Sequence, residues 1–234
     1  MLSAILGRRT KGKVILSTMK ILAIGDMHGN FSAVHTALSR YEPDIILSPG
    51  DWGDPGQIKE RDLSALVENV YVLTVFGNHD DIKLLQTTTN TDGNPVLLGQ
   101  GEIRDVMGFS FAGISGIWAK THAKPYYVTD DDVERIVQSL AGRSIDVLIT
   151  HGCPIGLADK LPGGRRGGQR CLLEAFRKLS PRLHICGHLH YAQRHALKDG
   201  RMVVNTGYGA EGDCWIISLT GQHMSAEFIS GKQD

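Results

Sequence analysis

Apolar residues in this chain cluster in short unbroken runs, and the runs end alike. Ile21-Leu22-Ala23-Ile24 leads into Gly25-Asp26-Met27-His28, and Ile45-Ile46-Leu47 leads through Ser48-Pro49 into Gly50-Asp51. Val70 to Phe76 leads into Gly77-Asn78-His79-Asp80, Val147-Leu148-Ile149-Thr150 into His151-Gly152, and Leu183-His184-Ile185-Cys186 into Gly187-His188-Leu189-His190. Runs of this length, rich in β-branched residues, predict strands buried on both faces. In open α/β sheets functional groups gather beyond the carboxyl ends of the strands, so the recurring Asp, Asn and His positions predict one shared site. The glycines there permit sharp turns and close backbone approach.

Between the runs the period changes. Phe31, Val34, His35 and Leu38 recur at helical spacing, as do Ile58, Leu63, Leu66 and Val67, which predicts two β-then-α units with parallel strands and right-handed crossovers. A short helix is expected over Asp80 to Gln86. Glu102 to Val106 and Phe109 to Gly113, split by Met107-Gly108, predict a hairpin. Trp118 to Val128 has no period and reads as a loop or small cap near the site, with surface packing as the equal alternative. The acidic run Asp130-Asp131-Asp132 after Thr129 reads as the capped first turn of a helix. The glycine-rich stretch Leu161 to Gly168 precedes a helix from about Gln169 to Leu179, and its amides and arginines offer themselves to an anion. Arg194 to Leu197, Met202 to Asn205, Cys214 to Ser218 and Met224 to Ile229 are expected as strands completing a second sheet.

The 234 residues fit a single domain, expected over 19–234 after an N-terminal extension over 1–18. Equal numbers of basic and acidic residues give zero net charge, which argues against general attraction to nucleic acid or anionic lipid. No stretch approaches transmembrane length. Four widely spaced cysteines without a CxxC pair argue for a reducing, cytoplasmic setting, with Cys186 as a small core hydrophobe.

Asp26, His28, Asp51, Asn78, His79, His151, His188 and His190 stand at strand ends. Imidazole, carboxylate and amide donors without thiolate suit borderline to hard divalent ions, and the set exceeds what one ion needs. Their order, DxH, GD, GNHD, TH and GHxH, resembles the calcineurin-like metallophosphoesterase superfamily over Ile21 to His190, in its small phosphodiesterase-like branch. Asn205-Thr206-Gly207 also resembles the segment that follows the family's last ligand. The resemblance implies a four-layer αββα sandwich, two mixed β-sheets face to face with helices outside.

It further implies two divalent ions, manganese, iron or zinc. Asp26, His28 and His190 resemble the ligands of the first ion, and Asn78, His151 and His188 those of the second, with Asp51 bridging. His79 takes the catalytic place, and Asp54 that of an acid orienting it; Asn78 would also face substrate. One branch of the family has arginine after that acid where this chain has Pro55, which speaks against a protein phosphatase; Arg165 or Arg166 would supply a substitute contact. The implied reaction is attack on phosphorus by a metal-bridging hydroxide. A small phosphate ester is the expected substrate: a phosphodiester, cyclic-nucleotide or nucleotide-like, with a monoester or nucleotide pyrophosphate as alternatives. A metal-binding scaffold without turnover is the reading from another class. His35, His122, His184, His195 and His223 fit no ligand pattern and are expected in core or surface roles, His122 with a weak link to the site.

Overall fold

The computed structural model describes residues 18–232. The expected extension over 1–18 lies outside the described residues except for Thr18. The strands are β1 (Met19–Ala23), β2 (Ile45–Ser48), β3 (Tyr71–Thr74), β4 (Ile103–Val106), β5 (Phe109–Ile114), β6 (Ile117–Trp118), β7 (Tyr127–Val128), β8 (Val147–Thr150), β9 (Leu183–Cys186), β10 (Gln193–Ala196), β11 (Met202–Asn205), β12 (Cys214–Leu219) and β13 (Met224–Ile229). The helices are α1 (Ser32–Tyr41), α2 (Glu60–Val67), α3 (Ile82–Thr87), α4 (Asp130–Ser139) and α5 (Arg170–Leu179).

Two mixed sheets form the centre, one ordered β13-β12-β1-β2-β3 and the other β10-β11-β9-β8-β5-β4. β1, β2 and β3 run parallel, as do β5, β8, β9 and β11, while β4 and β10 close the second sheet as antiparallel edges. The expected hairpin is β4-β5. One expectation is corrected: β12 and β13 complete the first sheet, β12 pairing antiparallel with β1 from Met19↔Leu219 to Ala23↔Trp215. The local pattern of a strand carries no mark of which distant edge will receive it.

The unbroken apolar runs follow from the layering. Ile21, Ala23, Ile45, Leu47 and Leu73 point between the sheets against Phe111, Val147, Ile149, Ile185 and Val204. Their neighbours Leu22, Ile46 and Val72 point outward onto Val34, Ala37, Leu63 and Leu66 of α1 and α2. On the other side Ala112, Ile114 and Leu148 meet Val133, Ile136, Leu172 and Ala175 of α4 and α5. Each strand residue thus leaves water on whichever face it occupies, at roughly 1.5–3 kcal/mol per large side chain. The result is the expected αββα sandwich.

Thr129 caps α4 as its sequence predicts: its hydroxyl accepts from the Asp132 amide, and the Asp132 carboxylate accepts from the Thr129 amide at 2.8 Å. The span 118–128 is closed at its two ends by a short parallel pair, β6 with β7. All four cysteines are buried free thiols. Among the described residues no helix is long and apolar enough to cross a membrane.

Candidate metal centre

The loops after β1, β2, β3, β8 and β9 converge at one end of the sandwich, and their glycines explain how. A Cβ on Gly77 would lie 2.2 Å from Asp51 Oδ1 and 2.4 Å from His151 Cε1. A Cβ on Gly187 would lie 2.5 Å from Asp26 Oδ2. Only a missing side chain lets the carboxylates come this close to the neighbouring turn.

Two groups of side chains face each other there. Asp26, His28 and His190 bring one ligand atom each within 4.8 Å of one another, and so do Asp51, His151 and His188. The groups adjoin: the His188 amide donates to both oxygens of Asp26, at 3.1 and 3.0 Å. Asn78 joins the second group, its Oδ1 3.2 Å from His151 Nε2. Asp51 Oδ1 accepts from the His79 amide at 2.7 Å, while Oδ2 lies 3.5 Å from His151 Nε2.

The donor set fits cations. His151 Nδ1 lies 2.9 Å from the Pro49 carbonyl, which can only accept, so Nδ1 carries the hydrogen. His151 Nε2 lies 3.2 Å from Asn78 Oδ1 and 3.5 Å from Asp51 Oδ2, so three potential ligand atoms cluster where one cation would be held by all of them. His28 and His190 likewise bring their Nε2 atoms to 3.4 Å. Burial lowers His28 from its ordinary value and brings His188 down to about 4, which keeps their lone pairs available. His190 is raised, chiefly by its contact with Asp26, 3.3 Å away.

Backbone strain gathers at the same place. Among the described residues nine non-glycine residues have positive φ, and five of them are Asp26, His28, Asp51, His188 and His190. Such conformations cost about 1–3 kcal/mol each and persist where the surroundings enforce them, commonly at functional sites.

His79 stands at the rim. Its ring lies 5.1 Å from that of His28, and Nδ1 is 3.2 Å from both Asp54 oxygens. Both side chains are about half exposed, so the pair is worth no more than about 1 kcal/mol and matters for the direction of the ring. Nδ1 facing Asp54 leaves Nε2 free.

Two contributors escaped the sequence reading. Asp80 is buried, and its carboxylate accepts from the amides of Asp51, Trp52 and Gly77 at 2.8, 2.7 and 2.7 Å, fastening the loops after β2 and β3 together. Burial raises this carboxyl well above the usual range, against the opposing pull of those amides. It belongs to the GNHD stretch, but nothing in the motif tells a ligand from a fastener. Tyr208 stacks on His190, centroids 4.4 Å apart and planes 17° apart, and its turn is pinned where the Gly209 and Ala210 amides donate to Gly25 and Asp26 carbonyls, both at 3.0 Å. Its position just after Asn205-Thr206-Gly207 was the available signal.

Other residues named from the sequence stand outside the two donor groups. Arg165 is exposed, and Arg166 pairs with buried Asp159 at 2.6 Å. His122 contacts Asp132 at the start of α4. His184 is fully buried, its Nε2 2.8 Å from Thr150 Oγ1 and its ring stacked on Phe176, while its Nδ1 has no partner.

The fold and the paired candidate ligand groups are consistent with calcineurin-like phosphoesterase chemistry, and comparison with known families agrees. Residues 19–192 match the model described as calcineurin-like phosphoesterase, and the chain belongs to that family. It is 26% identical over 203 residues to the UPF0046 protein K07C11.7 of Caenorhabditis elegans, covering 78% of this chain and 67% of that one. A second nematode relative, UPF0046 protein T07D4.2, is 23% identical over 209 residues, and the alignment takes in 74% of this chain but only 51% of the relative. Among solved structures, GAP50 of Plasmodium, titled the anchor in the inner membrane complex, superposes with a TM-score of 0.60 at 15% identity, covering 92% of this chain and 85% of that one. A dimetal phosphatase from Danio rerio gives 0.57 at 12% identity, with 92% and 97% covered. At these identities the structures show the fold.

Proposed function

We propose that this chain is a dinuclear metal-dependent phosphoesterase that hydrolyses a small phosphodiester, of the cyclic-nucleotide or nucleotide-like class. Asp26, His28 and His190 would hold one ion, Asn78, His151 and His188 the other, and Asp51 both. The ions, manganese, iron or zinc, would supply Lewis acidity toward the phosphoryl oxygens and a water acidic enough to lose its proton near neutral pH.

The chain's own residues do the rest. Gly77 and Gly187 give the carboxylates room, and Asp80 holds the loops after β2 and β3 at a fixed separation. His79, its Nδ1 directed by Asp54, presents Nε2 at the rim, where it would protonate the leaving oxygen or donate to the charge developing on the phosphoryl group. Asn78 would turn its amide nitrogen toward substrate while its oxygen faces the second ion. Arg165 and Arg166 would meet the outer parts of the substrate. The four buried thiols suit a reducing cytoplasm.

One observation supports the reading above the others: His151 Nε2, the Asp51 carboxylate and Asn78 Oδ1 come together beside a second complete donor group. The competing scaffold reading leaves the His79 and Asp54 pair over these groups without a purpose. Hydrolysis of bis-p-nitrophenyl phosphate and p-nitrophenyl phosphate, after chelation and with manganese restored, tests the proposal. Manganese-dependent turnover favouring the diester is expected. Preference for the monoester would replace diesterase with monoesterase, and two bound ions without turnover of either ester would favour the scaffold.

A further inference from the structure

Beside the edge strand β10 lies a cavity of about 360 Å³ whose lining includes Lys160, Arg166, Gln193, Arg194 and His195. Its size falls at the small end of ligand pockets, roughly 300–1,000 Å³. The geometry points to a binding pocket for a phosphate-class anion here, formed without the metal centre's ligands.

The backbone that carries the basic side chains is held in place. Gln193 clamps the loop before α5 at two points: its Oε1 accepts from the Lys160 amide at 2.9 Å, and its Nε2 donates to the Lys160 carbonyl at 2.8 Å. A β-bridge sets the Lys160 backbone beside that of Arg166, and the Leu161 amide donates to the Arg165 carbonyl at 2.9 Å to close the turn. Lys160 and Arg166 therefore leave adjacent points of one small ring of backbone. Arg166 is steadied by Asp159, which has no exposed surface. Asp159 spends its other oxygen on the Gly168 amide at 3.1 Å, so it is committed away from the remaining cations.

Arg194 is fixed from the opposite side, one guanidinium nitrogen donating to the Ala226 carbonyl of β13 at 3.1 Å. Among the described residues no carboxylate lies within ion-pair distance of Lys160, Arg194 or His195. The cavity lining thus includes three cationic side chains, of which only Arg166 has a compensating carboxylate, in a chain whose net charge is zero. Guanidinium forks and an ammonium suit the tetrahedral oxygens of phosphate.

Calorimetric titration of metal-stripped protein with inorganic phosphate, at ionic strength held constant with sodium chloride, tests this directly. Saturable binding of one phosphate per chain is expected. The double variant Lys160→Gln, Arg194→Gln, whose sites are exposed, should bind at least about tenfold more weakly, the effect of losing one charge-assisted contact. Arg61→Gln, an exposed arginine on α2, should bind as the wild type does. No saturable binding by the wild type, or equal affinity in the folded double variant, would overturn the pocket.

Steady-state kinetics of the metal-loaded protein then separate two sources of the anion. A phosphate carried by the substrate raises KM in the double variant for a nucleoside bisphosphate but not for bis-p-nitrophenyl phosphate. A separate phosphorylated ligand leaves both KM values unchanged. The titration stands whether or not the protein turns over any ester.

Discussion

Replacing Gly77 by alanine offers a sharp steric test of the site. Gly77 does not have a left-handed φ, so alanine is allowed by the backbone, and the whole effect comes from one methyl group. That methyl would sit 2.2 Å from Asp51 Oδ1 and 2.4 and 2.5 Å from His151 Cε1 and Nδ1. Neither neighbour can swing aside, since Asp51 is 1% exposed and His151 0%. Overpacking of this kind costs roughly 1–3 kcal/mol. Displacing Asp51 also strains the bond it accepts from the His79 amide, and hydrogen bonds to charged groups contribute about 1.5–3 kcal/mol. A loss of about 2.5–6 kcal/mol follows, which for a chain of this size lowers Tm by roughly 5–24 °C. Metal content after dialysis, measured by mass spectrometry, should fall from two ions per chain to one or none. Gly152→Ala is the control: its methyl would press only on the terminal Leu172 Cδ1, at 3.2 Å, with Ile117 Cδ1 at an ordinary contact distance of 3.9 Å, and stability and metal content should stay close to wild type. Two ions retained by Gly77→Ala, with an unchanged Tm, would refute the steric argument.

His79→Ala should keep both ions and lose about 10²–10⁴-fold in kcat, the usual scale of general acid catalysis, and metal analysis beside steady-state rates separates the two effects. Asp51→Asn should instead reduce metal occupancy itself, and equal occupancy in the two variants would end the bridging role proposed for Asp51. Asp80→Ala would orphan three buried amides and should cost on the order of 3–6 kcal/mol in urea denaturation, with Asp80→Asn costing less. Burial brings His184 down to about 3. Above its unfolded value of about 6.5 both states are neutral; below it the unfolded chain takes up a proton that the fold refuses. Stability of the metal-free protein should therefore fall as pH drops from about 6.5 toward 3, by at most about 1.4 kcal/mol per unit from this group, and the slope should flatten in His184→Leu.

The sequence revealed most of what is local. Strands β1, β2, β3, β8 and β9 were legible because a strand buried on both faces must be largely apolar, and each ends within three residues of a glycine that opens a polar turn. The helices were legible from their single apolar stripes, and α4 from its capping residues as well. The hidden parts depend on distance along the chain. β12 pairs with β1 almost two hundred residues away, and β12 has no local feature that chooses between the two sheets. Asp80 looks like one more ligand in its motif, although its carboxylate is consumed by three amides. Tyr208 meets His190 only because the turn after β11 is tied to the backbone of Gly25 and Asp26. Arg166 read as a free guanidinium because nothing nearby in the pattern marked Asp159 as buried.

Anomalous scattering from crystals soaked in manganese after chelation tests the centre most directly. Two peaks are predicted in each molecule, one among Asp26, His28 and His190, the other among Asn78, His151 and His188, with an oxygen of Asp51 reaching both. A lone peak outside these residues, or none while the side chains stay as described, would contradict the account.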